Sequence, residues 1–164
     1  MAVADVLSDR SSTPVDRMFQ LGYWTAYRLM RAYWMVRHPV TRGTQVALWH
    51  GGEVLLVRNS YLPYYSAPGG YVRRHEQASE AAARELGEEV GIRITADRLQ
   101  LELEVTHEWE YRRDHCSVFS LELPERPAIH VDHREVVEAG WFTPARAVGL
   151  DVFPPLKKVI SARL

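Results

Sequence analysis

Apolar residues recur along this chain with two periodicities, one typical of helices and one typical of strands. Residues 15–37 show the helical periodicity, and Ser12-Thr13-Pro14 is suited to start a helix there. One face of this predicted amphipathic helix carries Phe19, Tyr23, Ala26, Met30, Tyr33 and Trp34, and the other carries Arg17, Gln20, Trp24, Arg28 and Arg31. These arginines interrupt the apolar run too early for a membrane span.

The remainder of the chain predicts short strands alternating with helices. Residues 44–50 and 53–58 are typical of a β-hairpin around Gly51-Gly52. Residues 54–57 are apolar on both faces, so this strand should be central, with helices on each side. Residues 101–107 alternate between apolar and polar side chains, as in a strand that has one face exposed to solvent. The other predicted elements are a short strand at 71–72, a helix at 77–90, a turn at 112–114 into a strand at 115–123, a strand-then-helix unit from 138, and a helix at 155–164.

Two segments follow from this pattern. Residues 1–14 are short of large apolar side chains and lack the features of a signal peptide, so we expect a flexible, frayed terminus. The helix is predicted to end at His38-Pro39. Together, the terminus and the helix form a first segment at 1–40. Residues 41–44 are predicted to be a linker, and the folded domain is predicted to occupy 41–164.

The helix at 15–37 has three interpretations. It could pack on its own domain or on a second subunit, which is the usual use of an apolar face and would allow a homodimer. It could lie on a membrane surface, because aromatic residues with arginine suit the headgroup region. It could also help to cover a substrate. The sequence pattern leaves these alternatives open.

Composition narrows the class of protein. The chain has 164 residues, is 46% hydrophobic and 25% charged, and carries a formal net charge of −1, as an ordinary soluble globular protein does. Near-neutral charge gives no general attraction to nucleic acid polymers, so none is expected as a partner. Its single cysteine, Cys116, excludes an internal disulfide and agrees with a cytoplasmic location.

The chemistry is concentrated between Gly70 and Ile92. Within the helix predicted at 77–90, Glu85, Glu88 and Glu89 fall within an arc of about 100°, so three like charges repel unless a cation lies among them. Gly70 follows Pro68-Gly69, where the backbone can turn and offer a carbonyl oxygen. Carboxylate and carbonyl oxygens are the ligands that Mg²⁺ or Mn²⁺ prefers. Arg84 could pair with Glu76 or Glu88 and hold the carboxylates in place.

With its spacing of glycine, glutamates, Arg84 and Ile92, the stretch resembles the Nudix box, and it matches that motif at every specified position. The resemblance implies an α+β or α/β fold with a mixed β-sheet sandwiched between α-helices, preceded here by the amphipathic helix. It also implies a Mg²⁺- or Mn²⁺-dependent hydrolase of the MutT type. Such enzymes cleave the pyrophosphate bond of a nucleoside diphosphate linked to another group.

The resemblance implies a role for each residue that occupies a position of the motif. Glu85, Glu88 and Glu89, with the carbonyl of Gly70, would hold the metal, and Arg84 with Glu76 would be the supporting pair. Glu88 is the first candidate for the base that activates water, and Glu135 is the second, with a metal-ligand role as its alternative.

Substrate contacts are predicted from residue type and from nearness in sequence. Arginines near the box could meet phosphates, and a tyrosine of the loop at 59–67 could stack on a base or sugar. Tyr111 lies close to the place where dinucleoside polyphosphate hydrolases carry a tyrosine, and Trp109 is nearby. The predicted contacts are Arg58, Arg73, Tyr65, Trp109 and Tyr111, with Arg74 and His75 as further phosphate contacts.

The substrate itself stays open at this stage. The proline that ADP-ribose enzymes carry shortly after the box is absent, because the first proline after Ile92 is Pro124. A nucleotide sugar, a nucleoside triphosphate and a dinucleoside polyphosphate all remain candidate substrates. Two other classes also remain: a nucleotide-binding regulatory module without catalysis, and a membrane-surface or partner-docking protein whose hydrolysis is secondary.

Overall fold

A mixed six-stranded sheet runs through the folded domain. The computed structural model describes residues 12–129, 131 and 133–164, so residues 1–11 of the predicted flexible terminus lie outside the described residues. The strands are β1 Val40–His50, β2 Glu53–Asn59, β3 Gly69–Tyr71, β4 Gln100–Trp109, β5 Arg112–Glu122 and β6 Val136–Phe142. Their order is β4-β5-β1-β2-β6, and β3 also pairs with β1. β1 and β5 are parallel, whereas the other pairings are antiparallel.

Helices cover both faces of this sheet, as the sequence predicted. The helices are α1 Pro14–Arg37, α2 Ala78–Val90, α3 Pro144–Ala147 and α4 Pro154–Ser161, and a 3₁₀ turn forms at Ala96–Arg98. Leu48 and Leu55 belong to a core that includes Leu86 of α2, whereas Leu56 belongs to a second core that includes Leu156 of α4. The central strands therefore bury apolar side chains on both faces.

Two local predictions at the sheet were wrong. The linker expected at 41–44 is part of β1, where these residues pair with residues 114–117 of β5. The turn expected at 112–114 lies two residues earlier, at Glu110 and Tyr111, whose φ angles are 47° and 68°. Left-handed residues in a two-residue hairpin turn are usually Asn, Asp or Gly, so the sequence carried no signal for this one. The earlier turn makes Arg112 a strand residue, and its side chain is buried.

Helix α1 forms where it was predicted. Thr13 caps it, because its hydroxyl accepts from the Asp16 backbone while the Asp16 carboxylate accepts from the Thr13 backbone. The helix ends at His38, a left-handed residue whose N–H donates to Trp34 O. Across the described residues, none of the helices combines the length and the apolar character that crossing a membrane requires.

Of the apolar face predicted for α1, Trp34 is buried and the other members are exposed, so the prediction was largely wrong for α1. Its buried residues are Asp16, Tyr27 and Trp34, so the helix packs on its own domain along one narrow stripe. Most of the predicted apolar face, including Phe19 and Tyr33, is exposed. Because α1 has apolar residues all around its axis, periodicity alone could not select the contact side.

Candidate active site

Helix α2 has one apolar side, which is buried, and one charged side. Its Ala82, Leu86 and Val90 are buried, as their spacing predicted. The helix ends at Gly91, which adopts a φ of 76° and closes the last turn through a bond to Leu86 O. Burial of this apolar stripe leaves the polar residues on the other side of α2, where they meet strand β3 and the loop after it.

Arg84 is the central hydrogen-bond donor among the polar residues on this side of α2. Its Nε donates to Glu76 Oε1 at 2.9 Å, and its Nη2 donates to Glu76 Oε2 at 3.1 Å and to Tyr71 O at 3.2 Å. Its Nη1 donates to Glu85 Oε1 at 2.5 Å and to Glu88 Oε2 at 3.2 Å. One guanidinium thus uses four of its donors to fix three carboxylates and the fifth to bind the Tyr71 carbonyl, an arrangement that the planar fork of arginine allows.

These bonds also set the charge state of the cluster. The guanidinium of Arg84, helped by the backbone N–H of Arg73, lowers the pKa of Glu76 to about 2. Hydrogen bonding to Glu76 in turn raises the pKa of Arg84 above its usual value. The supporting pair is therefore fully ionised at neutral pH.

Two glycines let the backbone of β3 come close to α2 and β1. A Cβ on Gly70 would lie 2.6 Å from the carboxyl carbon of Glu85, and a Cβ on Gly69 would lie 2.1 Å from Thr44 O. The backbone N–H of Gly69 donates to Glu89 Oε2 at 2.8 Å. Glu85 and Glu89 therefore both meet the Gly69-Gly70 backbone, at a place where a Cβ on Gly69 would meet backbone and a Cβ on Gly70 would displace Glu85.

Glu135 lies across the same pocket from α2. Tyr61 donates its hydroxyl to Glu135 Oε1 at 2.9 Å, and the Ser60 N–H donates to Glu135 O at 2.7 Å. This carboxylate pocket has a volume of about 380 Å³. The sequence-predicted residues that line it are Gly70, Arg73, Arg84, Glu85, Glu88, Glu89 and Glu135. Among the residues that the structure describes, no three acidic, histidine or cysteine side chains are arranged to hold a metal ion.

A second cavity, of about 140 Å³, adjoins the carboxylate pocket and shares Gly69, Gly70, Tyr61 and Tyr71 with it. Its walls are aromatic and include Tyr27 of α1, with Tyr64 and Phe153 from the far side. Burial raises the pKa of Tyr64 to about 12. We call this space the aromatic cavity.

Charged side chains lie against the aromatic cavity. Arg112 stacks on Trp34 of α1, with its Cζ 3.9 Å from the ring centre. Its Nη1 is 3.6 Å from Glu110 Oε2, and its Nε is 3.9 Å from Asp114 Oδ1. These separations allow attraction between the charges but no direct hydrogen bond. The Tyr27 hydroxyl donates to the other oxygen of Glu110.

Buried polar atoms around the aromatic cavity are left without hydrogen-bond partners within the described part of the chain. They are Thr44 Oγ1, Gln45 Oε1, Asn59 Oδ1, Glu110 Oε2, and Nε and Nη1 of Arg112. Unmade bonds of this kind are costly, and native proteins rarely leave so many together. A ligand or ordered water that fills the cavity would complete them.

Two of the predicted substrate contacts lie elsewhere. Arg58 donates from Nε and Nη2 to Glu138 Oε2 at 2.9 Å and 2.7 Å, and Tyr65 donates to Glu138 Oε1 at 2.6 Å. Neither side chain lines the carboxylate pocket or the aromatic cavity. Strand β2 directs Arg58 to β6, while a bond from the Tyr65 N–H to Asp151 O fixes Tyr65 beside the loop before α4.

Trp109 and Tyr111 also stand outside these two spaces. Trp109 packs edge-on against Phe153, with ring centres 5.4 Å apart, and its indole N–H donates to Tyr64. Trp109 therefore supports the wall of the aromatic cavity from behind. Tyr111 forms the β4–β5 turn and is 48% exposed.

Sequence reasoning missed the residues of the aromatic cavity. The sequence pattern predicts a turn at Arg112 and Asp114, and it does not distinguish Tyr61 and Tyr64 from Tyr65. One signal could have indicated them. Residues 112, 114 and 116 lie on the same face of an extended strand, and Cys116 is buried on that face. Burial, with a smaller effect from Asp114, raises the pKa of the Cys116 thiol to about 12, so it is inert as a nucleophile.

Comparison with known proteins identifies this architecture. The family model of the NUDIX domain matches residues 40–164. No curated protein sequence matches the chain.

Several solved structures are similar. The MutT protein from Methanosarcina mazei Go1 has a TM-score of 0.65 at 20% identity, over 78% of this chain and 95% of that one. A C. elegans Ap4A hydrolase has a TM-score of 0.63 at 19% identity, over 74% and 93%. The E. coli dihydroneopterin triphosphate pyrophosphohydrolase has a TM-score of 0.62 at 24% identity, over 74% and 92%. At these identities the likeness extends to the fold alone.

Proposed function

Because the chain belongs to the Nudix family of pyrophosphohydrolases, we propose that it hydrolyses the pyrophosphate bond of a nucleoside diphosphate linked to another group, with Mg²⁺ or Mn²⁺. The observation that carries the proposal is the junction of two different spaces at Gly69 and Gly70. One is lined by carboxylates and the other by aromatic rings. A substrate with a phosphate part and a ring part would occupy both.

The carboxylate pocket suits a hard divalent cation. Its donors are oxygen atoms, and the carboxylate of Glu85 lies against Gly70 in space that a Cβ would fill. Glu85, Glu88 and Glu89, with the carbonyl of Gly70, would hold the ion. When bound, the ion supplies neutralisation of the diphosphate and a lower pKa for the attacking water.

Arg84 and Glu76 orient the carboxylates. Three carboxylates on one helix face would otherwise spread apart, and the Arg84 bonds to Glu85 and Glu88 hold two of them in fixed positions. Glu76 holds Arg84 through two bonds of its own. Both residues therefore position the site rather than react.

The base is proposed to be Glu88, with Glu135 second. The Glu88 side chain is 55% exposed, its Oε1 lies 3.8 Å from Arg73, and its Oε2 accepts from Arg84. Glu88 can thus reach a water that attacks phosphorus. Glu135 already accepts the Tyr61 hydroxyl, so it has less freedom to take a proton. Arg73 is placed to meet the phosphates.

The aromatic cavity is proposed to hold the ring part of the substrate. Its volume of about 140 Å³ is close to the roughly 150 Å³ of an engineered protein cavity that binds benzene, so it is of the size of one planar ring. Tyrosine faces would stack on such a ring, and the unpartnered atoms of Thr44, Asn59 and Arg112 would bond to its edge.

The substrate is therefore proposed to be a small molecule and not a nucleic acid polymer. Two structural neighbours are named as acting on Ap4A and on dihydroneopterin triphosphate. A dinucleoside polyphosphate, a nucleoside triphosphate or a nucleotide sugar all fit a diphosphate beside one ring. Such substrates also suit the cytoplasmic location that we propose.

A substrate panel tests the proposal. Phosphate-containing products would be measured from nucleoside triphosphates, nucleotide sugars and dinucleoside polyphosphates, with Mg²⁺ and with Mn²⁺. At least one compound should be cleaved at its pyrophosphate bond, and compounds that have a single phosphate should not be cleaved. Absence of cleavage across the panel with either ion would contradict the proposal.

A further inference from the structure

The polar side chains of α1 face its own domain. Asp16 lies 3.5 Å from the Arg134 guanidinium, and Gln20 donates to His133 O at 2.7 Å. Tyr27 donates to Glu110, and Arg31 lies 3.6 Å from the same carboxylate. These residues recur at helical spacing and form the stripe by which α1 is attached.

The opposite side of α1 is apolar and points away from the domain. On a helical wheel this outer face is centred roughly 180° from Asp16, Tyr27 and Trp34. Large apolar side chains of α1 that are more than half exposed are Val15, Met18, Leu21, Leu29, Tyr33, Met35 and Val36. Met18, Leu29 and Val36 lie near the middle of the outer face, and their exposed fractions are 66%, 68% and 74%.

An apolar outer face is unusual for a surface helix in water. Such a helix buries its apolar stripe against the protein and leaves charged residues outside. Large exposed apolar side chains that recur along one face of a helix mark a site of contact with another protein or with a membrane. α1 is attached by these polar bonds and by the aromatic rings of Tyr23, Tyr27 and Trp34, which leaves its outer apolar face free for that contact.

Charge on the outer part of α1 has one sign. The helix carries Arg17, Arg28, Arg31 and Arg37, and its single acidic residue, Asp16, is buried. Because Arg31 is directed to Glu110, the arginines that flank the apolar face on the helical wheel are Arg17 and Arg28. Trp24 is 45% exposed and lies under the Arg28 guanidinium, 4.9 Å from it. Apolar residues edged by arginine and aromatic rings match the boundary between acyl chains and anionic headgroups.

We propose that α1 is a docking surface for an anionic lipid bilayer, on which it lies parallel to the membrane plane. Its length of 24 residues corresponds to about 36 Å of continuous contact. A second copy of the chain is a weaker fit, because its α1 would bring further arginines and no exposed acidic side chain to pair with them. Phospholipid headgroups supply the negative charge that the outer face lacks.

Docking would also place the hydrolytic site at the bilayer surface. Tyr27 and Met30 of α1 line the aromatic cavity on the side opposite the docked face. The surface of attachment is thus only one helix diameter, about 10 Å, from the cavity. This proposal concerns attachment and stands whether or not the proposed substrate class is right.

Vesicle flotation of the full chain tests the proposal. Wild-type protein is compared on vesicles of phosphatidylcholine alone and on vesicles that also contain phosphatidylglycerol. It should float with the anionic vesicles, bind the neutral ones at least about tenfold less, and be released as salt is raised. Leu29→Glu should lower binding to anionic vesicles about tenfold or more. The matched control is Leu164→Glu, because Leu164 is 75% exposed at the chain end, away from α1, and it should bind as wild type does.

Several outcomes would overturn the proposal. One is failure of the wild-type chain to float with anionic vesicles, and another is equal flotation with neutral vesicles. Unchanged binding by Leu29→Glu, with circular dichroism matching wild type, would remove α1 from the contact. Sedimentation analysis covers the remaining alternative: a dimer that Leu29→Glu dissociates would assign the outer face to a second copy of the chain.

Discussion

The carboxylate of Glu85 lies so close to Gly70 that a Cβ added to this glycine would be 2.6 Å from the carboxyl carbon. Helix α2 and strand β3 are thus fitted to each other through the absence of one methyl group. The same contact brings the Gly70 backbone to the group of carboxylates proposed to hold the metal.

Gly70→Ala should therefore displace Glu85 and leave the fold intact, because the obstructed atoms belong to a side chain that can move. We expect hydrolysis to fall about 10–100-fold, since small misplacements at a reacting centre have effects of this size. The matched control is Gly87→Ala within α2, where the nearest atom to the new Cβ is 3.9 Å away. It should keep activity and gain up to about 1 kcal/mol in the free energy of unfolding. Equal activity of the two variants would refute the role of this contact.

Glu88→Gln and Glu89→Gln should each lower turnover about 100-fold or more, because each removes either the base or a charge that holds the metal. Steady-state rates on the best panel substrate provide the measurement. Glu80→Gln is the control, since glutamine can replace glutamate in the capping box that Glu80 forms with Gln77 on the same helix. A rate close to wild type for either of the first two variants would remove that residue from the site.

Arg112→Lys should weaken substrate binding more than it slows the chemical step. Lysine retains the charge but loses the fork of donors and the stacking on Trp34. We expect KM to rise about tenfold with kcat changed less than about threefold, consistent with loss of binding shared by ground and transition states. Arg113→Lys is the neighbouring control, because the Arg113 side chain is 62% exposed and points out of the sheet. Matching KM values would show that the aromatic cavity does not hold substrate.

Glu138 should give part of the stability a dependence on pH. Burial raises the pKa of Glu138, but hydrogen bonds from Tyr65 and Arg58 outweigh it and lower this pKa below its ordinary value of 4.5. A lowered pKa in the folded state contributes stability above the ordinary value and loses it as pH falls through the folded value. Because the Arg58 side chain is 40% exposed, the contribution is small.

Comparison of wild type with Glu138→Gln in denaturant at about pH 7 and about pH 3 measures this contribution. The variant should be less stable by about 0.5–1 kcal/mol at the higher pH, and the difference should shrink at the lower pH. Glu125→Gln, at an exposed carboxylate, should show a smaller difference at both. A gap that widens toward low pH would reverse the assigned sign.

The sequence predicted the carboxylate pocket better than the aromatic cavity, for a physical reason. Ala82, Leu86 and Val90 repeat at helical spacing, so they determine which side of α2 is buried and where its charges must point. A pairing of Arg84 with Glu76 or Glu88 was also predicted, and Arg84 binds both. Both depend on contacts within one segment of chain.

The aromatic cavity depends on long-range contacts instead. Which loop tyrosine faces it is decided by backbone bonds from Ser60 to Glu135 and from Tyr65 to Asp151, which join distant parts of the chain. The buried position of Arg112 depends on a turn formed by Glu110 and Tyr111, neither of them a usual turn residue. The contact side of α1 likewise depends on Glu110, more than 70 residues away.

The most direct test of the central claim is the rate of pyrophosphate-bond hydrolysis as a chelator is titrated against Mg²⁺. If Glu85, Glu88 and Glu89 act by holding a cation that grips the diphosphate, hydrolysis should fall to background once EDTA exceeds the metal and should return when Mg²⁺ is restored. Hydrolysis that continues unchanged in excess EDTA would contradict the account.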